Sequence, residues 1–218
     1  EVFEAKNLAR VIEYIRKKSQ GEDISKEIIL FLHKMLIENI DEDISGGFRK
    51  EHEYVRVGTY IATSPEHIER MIEEALIQYS SDHETYFVDK IANFHLYFET
   101  IHPFNDGNGR IGRVLINYQL CRLGFPGIII REKEKKLYYQ SFVEYQDSKI
   151  TKNMEKIIVL TLLEALHKRI AYLKGNEIIN LTEYAHNLEK PASAVLNAAK
   201  RQTIPAFREK GVWKIGKL

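Results

Sequence analysis

Apolar positions recur every three or four residues along most of this chain, a period that predicts helices rather than strands. Val2, Leu8, Val11, Ile12 and Ile15 mark a first helix, and Ile28, Ile29, Leu32, Met35 and Leu36 a second. A third is expected after "TSPE", with Ser64 as cap, Pro65 in the first position and Glu66 in the first turn. A fourth carries Phe87, Ile91, Phe94, His95 and Phe98. A fifth, "GRIGRVLINYQLCRLG", is closed by Gly124 and Pro126. Two more cover roughly 134–147 and 151–173. The aromatic stripe of the fourth helix reads as core, and His95 as a packed structural histidine.

Two segments break the period. Val55, Val57, Tyr60 and Ile61 are β-prone residues around Gly58, which suggests a small hairpin. On a helical body such a hairpin serves as a flap or a docking edge. After Gly175 and Asn176 the pattern shortens to two small helices, the first with Thr182 as a candidate cap, then a proline turn and a β-prone tail around Gly211. Residues 176–218 hold seven basic and four acidic residues, hence +3 against −2 for the remainder. A domain boundary is therefore placed near residue 175, giving domains 1–174 and 175–218.

Composition narrows the class. The chain has 218 residues, 44% hydrophobic and 29% charged, with a net charge of +1. That is one sizeable core plus a small appendage, with no overall attraction to nucleic acid or membrane. No run approaches the ~18 apolar residues of a membrane span. The single cysteine, Cys121, excludes an internal disulfide and fits a reducing cytoplasm, the expected location. It reads as a buried small hydrophobe rather than a nucleophile. The chain opens without Met, inside a helical pattern, so a native N-terminal segment is expected to precede residue 1.

The chemistry concentrates in "TIHPFNDGNGRIGR", Thr100 to Arg113. His102 precedes Pro103, which biases it out of the helical region and presents it at a helix tip, where a near-neutral imidazole suits a general base. Pro103 and Phe104 fix the turn. Asp106 is an oxygen ligand of the kind Mg²⁺ takes alongside substrate phosphates. Gly107, Asn108 and Gly109 let backbone N–H groups approach an anion at a helix N-terminus. Arg110 and Arg113 are neighbours on that helix, and arginine forks suit phosphate oxygens. Singly, each residue also fits a capped helix start on a solvated loop. The whole set fits that reading poorly and fits a nucleotide triphosphate site with a base beside it.

"HPFNDGNGRIGR" resembles the signature of the Fic family, HPFx(D/E)GNGRxxR, at all nine specified positions, and the likeness covers roughly residues 1 to 173. It implies a mainly α fold, a Fic-type helical bundle with a small β-hairpin flap. It also implies protein AMPylation: transfer of AMP from ATP to a Ser, Thr or Tyr hydroxyl of a target protein, in some relatives its removal. On that pattern His102 is the base and Asp106 holds Mg²⁺. Gly107, Asn108 and Gly109 form an anion hole; Arg110, Ile111, Gly112 and Arg113 complete the ATP-binding stretch. Val57 and Gly58 belong to the flap, which aligns the target. Tyr138 and Tyr139 match a tyrosine pair near adenine; partly buried helix residues with wet hydroxyls is the equal alternative. Gln146 stands where some relatives carry a nucleotide-contacting Asn. Gly109 replaces the lysine of the phosphorylating Doc toxins, which favours AMP transfer.

Many family members carry an inhibitory (S/T)xxxE(G/N) helix whose glutamate pairs with the second motif arginine. "SSDHET" ends in Thr85 and lies elsewhere, so such a helix is expected to have been lost with the N-terminal segment. Relatives often dimerise; no residue here establishes a homodimer. The C-terminal piece resembles an excisionase-like winged helix-turn-helix on "LTEYA", "AAKRQTIPAF" and "GVWKI". That implies DNA contacts from Ser193, Asn197, Lys200 and Arg201 in the groove and from Arg208 and Lys210 on phosphate. The alternative is a small packing or protein-docking module with Trp213 in its core. Two functions stand: a Fic adenylyltransferase, or a nucleotide-sensing DNA- or protein-binding regulator. An intact base at His102 favours the enzyme.

Overall fold

The computed structural model describes residues 2–57, 60–131 and 134–217. The seven helices expected from periodicity are α1 (Val2–Lys18), α2 (Lys26–Ile37), α3 (Pro65–Ser81), α4 (Phe87–Ile101), α5 (Asn108–Arg122), α6 (Lys135–Ser148) and α7 (Lys152–Leu173). Local chemistry sets their ends. Ser25 caps α2 by accepting the Ile28 N–H at 3.3 Å. Ser64 stands at the cap of α3 without a side-chain bond, and Pro65 removes one orphan donor there. Gly124, at φ +83°, closes α5. No helix among the described residues is long and apolar enough to cross a membrane.

The fold is organised around α4 and α5. One face of the pair packs with α1, α2 and α3 through Val11, Ile15, Ile29, Leu32, Ile68, Phe98, Leu115 and Tyr118. The opposite face packs with α6 and α7 through Ile91, Leu96, Ile116, Leu120, Tyr138 and Ile158. Burial on both sides explains why α5 lacks a polar stripe. The connection between these two central helices is the motif loop, so the most buried elements of the molecule hold its chemistry. Cys121 is half-buried, and burial pushes its thiol pKa up, away from nucleophile character.

Strands β1 (Arg56–Val57) and β2 (Tyr60–Ile61) pair antiparallel, with Val57 opposite Tyr60. The expected hairpin is present; its Gly58 lies outside the described residues.

The C-terminal residues build β3 (Ile178–Asn180), α8 (Leu181–Asn187), α9 (Ala192–Lys200), β4 (Ala206–Glu209) and β5 (Val212–Gly216). The antiparallel sheet has the order β3-β5-β4. Lys210 and Gly211, at φ +48° and +82°, form the tight β4–β5 turn. Ile179, Leu181, Val195, Ala199, Ala206 and Ile215 make a separate core, with Trp213 packed against it. Three sequence expectations need correction. β3 was not anticipated. It runs straight into α8, so Asn180 rather than Thr182 is the cap residue. Arg208 is no phosphate contact: its side chain is buried against α7, where Nε donates to both Glu164 oxygens at 2.9 Å.

Candidate active site

The motif loop is fixed before any ligand arrives. Helix α4 ends at His102, which adopts the left-handed conformation (φ 51°, ψ 62°) while its N–H still reaches Phe98 O at 3.0 Å. Pro103 forbids continuation of the helix. Phe104 is fully buried and stacks on His33 at 3.7 Å and 4°. The Asn108 side chain ties the loop to itself, donating to Phe104 O at 2.7 Å and accepting from Phe104 N at 2.9 Å. Asn108 therefore offers an anion its backbone N–H and not its amide. His33 accepts the Gly46 N–H on Nδ1 at 3.1 Å, so Nε2–H donates to Asp106 O at 3.1 Å. Burial lowers His33 to about 4, consistent with that neutral tautomer.

Arg49 locks the loop from the other side. Its guanidinium donates to His102 O at 2.9 Å, Glu53 O at 2.7 Å and Thr63 O at 2.6 Å, and its backbone N–H to Pro103 O at 2.9 Å. One buried cation thus joins the histidine, the hairpin's approach and its exit. Sequence reasoning missed both residues. A histidine amid the apolar residues of α2 was a readable signal; nothing local marks Arg49.

Around this frame the polar residues converge. Helix α5 begins at Asn108 with Gly107 as its cap residue, at φ +83°. A side chain at 107 would be strained and would meet Ile37 at 3.1 Å, so glycine is required. The first-turn N–H groups are available to an anion. Arg110 donates to Asp106 Oδ2 at 2.6 Å and to Glu4 Oε1 of α1 at 2.7 Å. The Asp106 side chain stays 61% exposed and accepts the Gly107 N–H. It suits a hard cation held mainly by substrate phosphates and water; no group of three potential ligands exists among the described residues. Arg110 and Arg113 also line a cleft of about 440 Å³ with Leu8, Ile12, Asn117 and Ile128.

His102 is partly buried, and burial lowers its pKa to about 4, so the imidazole is neutral at physiological pH. Nδ1 is its buried nitrogen, leaving Nε2 for a reacting hydroxyl. The structure does not bring every expected residue to a ligand surface. Ile111 is fully buried in the core. Gly112 faces inward, against Glu99 and His95. Tyr138 is buried, its hydroxyl 2.9 Å from His95 Nε2, so it braces α4. Tyr139 is 55% exposed and stays accessible. The exposed Lys200 and Arg201 end α9, away from the motif loop.

Residues 23–120 match the Fic/DOC family. These residues carry the likeness to a Fic domain. The chain is 32% identical over 125 residues to a Caenorhabditis elegans protein named protein adenylyltransferase fic-1, covering 56% of this chain and 24% of that protein. It thus spans about a quarter of the curated relatives it matches. A Fic domain containing signaling protein of Bacteroides thetaiotaomicron superposes with TM-score 0.63 at 22% identity, over 75% of this chain and 71% of that one. A Fic family protein of Desulfovibrio desulfuricans covers 98% of this chain, and 74% of its own, at TM-score 0.59 and 14% identity. BepC of Bartonella tribocorum, solved with bound AMPPNP, gives TM-score 0.58 at 12% identity, over 71% and 81% of the two chains. The helical body of this chain has the architecture of all three.

Proposed function

We propose that this chain is a protein adenylyltransferase that moves AMP from ATP to a Ser, Thr or Tyr hydroxyl of a target protein. The observation that carries the reading is the neutral His102, fixed at the tip of α4 directly ahead of the α5 N-terminus and its two arginines. The hydroxyl O–H bond breaks and its proton passes to His102 Nε2. The oxygen bonds the α-phosphorus as the bond to pyrophosphate breaks, and pyrophosphate leaves. Backbone N–H groups at 108 and 109 donate to the phosphate oxygens, and Arg110 and Arg113 balance the charge of the β- and γ-phosphates. Asp106 would hold Mg²⁺, which neutralises charge developing on the leaving group. Tyr139 borders the base end, and the hairpin at Val57 offers a strand edge to the target segment.

The test is transfer from ATP labelled on the α- or the γ-phosphate, with Mg²⁺, by this chain and by His102→Ala. Label arriving only from the α-position, and lost in the variant, is expected. Label from the γ-position would overturn the reading. DNA binding by the C-terminal module loses its main phosphate contact with Arg208, and the packing reading is the better supported one.

A further inference from the structure

Beneath the motif, α4 buries a carboxyl group that adenylyl transfer as described leaves without a role. Glu99 lies one turn before His102 and is 8% exposed. Its Oε2 is 3.9 Å from His102 Nδ1. Glu99 Oε1, His95 Nδ1 and His102 Nδ1 are all buried without a hydrogen-bond partner. A buried ring nitrogen without a hydrogen-bond partner, with a buried carboxylate oxygen this close, is an unusual arrangement, since buried polar atoms are nearly always bonded. Glycine at 112 makes the room: a Cβ there would stand 2.3 Å from Glu99 Oε1.

We propose that Glu99 is a positioning residue for His102: its carboxylate accepts the imidazole Nδ1–H, keeps the lone pair on Nε2, and balances the charge created when Nε2 takes the hydroxyl proton. This rests on the transferase reading above. A shift of about 1 Å brings the pair to bonding distance, and catalytic hydrogen bonds commonly tighten only when substrate binds. The step is balanced. The proton stays on Nε2, Nδ1 keeps its own, and Glu99 changes no bond. The groups facing Glu99 are His95 and His102 on α4, Arg113 on α5, Tyr138 on α6 and Tyr60 on β2, whose hydroxyl donates to the Glu99 carbonyl at 3.4 Å. Burial raises Glu99 to about 7, opposed by Arg113, so the carboxylate forms within the neutral range.

The experiment compares the full chain with Glu99→Gln, which keeps the volume and removes the charge. AMP transfer is measured from pH 6 to 9 together with histidine ¹⁵N spectra, His102 being assigned by its absence in His102→Ala. The expected result is a kcat about tenfold or more lower in the variant, an unchanged KM for ATP, and loss of a rate increase near pH 7. The His102 nitrogens should shift through the same pH range in the wild type and not in the variant. If both proteins show the same His102 shifts, the proposal is overturned, and so it is if the variant loses only thermal stability or only affinity for ATP. The spectra decide even if no AMP is transferred, a result that would sink the transferase reading separately.

Discussion

Replacing Arg208 with alanine should loosen the C-terminal module from the helical body. The side chains of Arg208 and Glu164 are each 6% exposed. Nε of Arg208 donates to both Glu164 oxygens at 2.9 Å, and Nη1 and Nη2 reach Glu134 Oε1 at 3.3 Å. Truncation removes all of these and leaves a buried carboxylate, a change that costs about 3–5 kcal/mol. Two features pull the value to the lower end. Arg131 remains 3.2 Å from Glu164 Oε1, and the backbone N–H of residue 208 still donates to it at 3.0 Å. Burial has also raised the Glu164 pKa, so proton uptake offers partial relief. About 3 kcal/mol is the expected loss. Urea unfolding followed by Trp213 fluorescence reads it, because Trp213 is the chain's single tryptophan and Arg208 lies 4.8 Å from its ring centroid. Circular dichroism on the same samples follows the helical body, and its transition should lag behind the fluorescence. Replacing both partners, Arg208→Met with Glu164→Leu, should recover most of the loss, since apolar pairs often substitute for buried ion pairs. A single variant within about 1 kcal/mol of wild type, or a double variant as unstable as the single, would refute the reasoning.

Other consequences are as specific. Phe104→Ala empties the space under the motif loop and should cost about 3–5 kcal/mol, read by chemical denaturation. Asp106→Asn keeps the acceptor for the Gly107 N–H but removes a charge, so transfer should require more Mg²⁺, visible as a right-shifted Mg²⁺ titration of rate. Gly112→Ala gains roughly 0.5–1 kcal/mol of helix propensity but forces a Cβ onto Glu99 and His95, for a loss of about 1–3 kcal/mol, so it should destabilise overall. Acid should unfold the protein early. Burial lowers His33, His95 and His102 to about 4, 3 and 4 from 6.5, while Glu99 rises to about 7 from 4.5. Between those reference values the unfolded chain binds three extra protons at histidine and the folded chain one at Glu99. The net of two makes stability fall with pH, by at most about 3 kcal/mol per unit. A flat stability profile from pH 6.5 to 4.5 would contradict this.

The helices were legible because their apolar spacing survives in the sequence, and the motif because its residues are contiguous. What stayed hidden depends on distant partners. Arg49 reaches His102, Thr63 and Glu53 across three segments, and no local pattern marks that. Tyr138 looked equally fit for adenine or core; its contact with His95, 43 residues earlier, is what no local pattern marks. Arg208 read as a surface cation in a basic tail because its partners, Glu134 and Glu164, sit far earlier in the chain. Glu99 was readable in part. It stands four residues from His95 and three from His102, hence on their helix face, but a carboxylate in an aromatic stripe does not announce what it faces.

The sheet order β3-β5-β4 places in the middle the strand that comes after the other two in the chain. During synthesis, β3, both small helices and β4 must wait without their central partner until residues 212–216 have left the ribosome. Glu164 of α7 waits with them, unmatched by Arg208 until β4 docks. The helical body can settle first, with Arg131 beside Glu164, and the central strand then closes the small sheet: a chain stopped before residue 212 would carry an intact motif loop beside two strands without their shared partner.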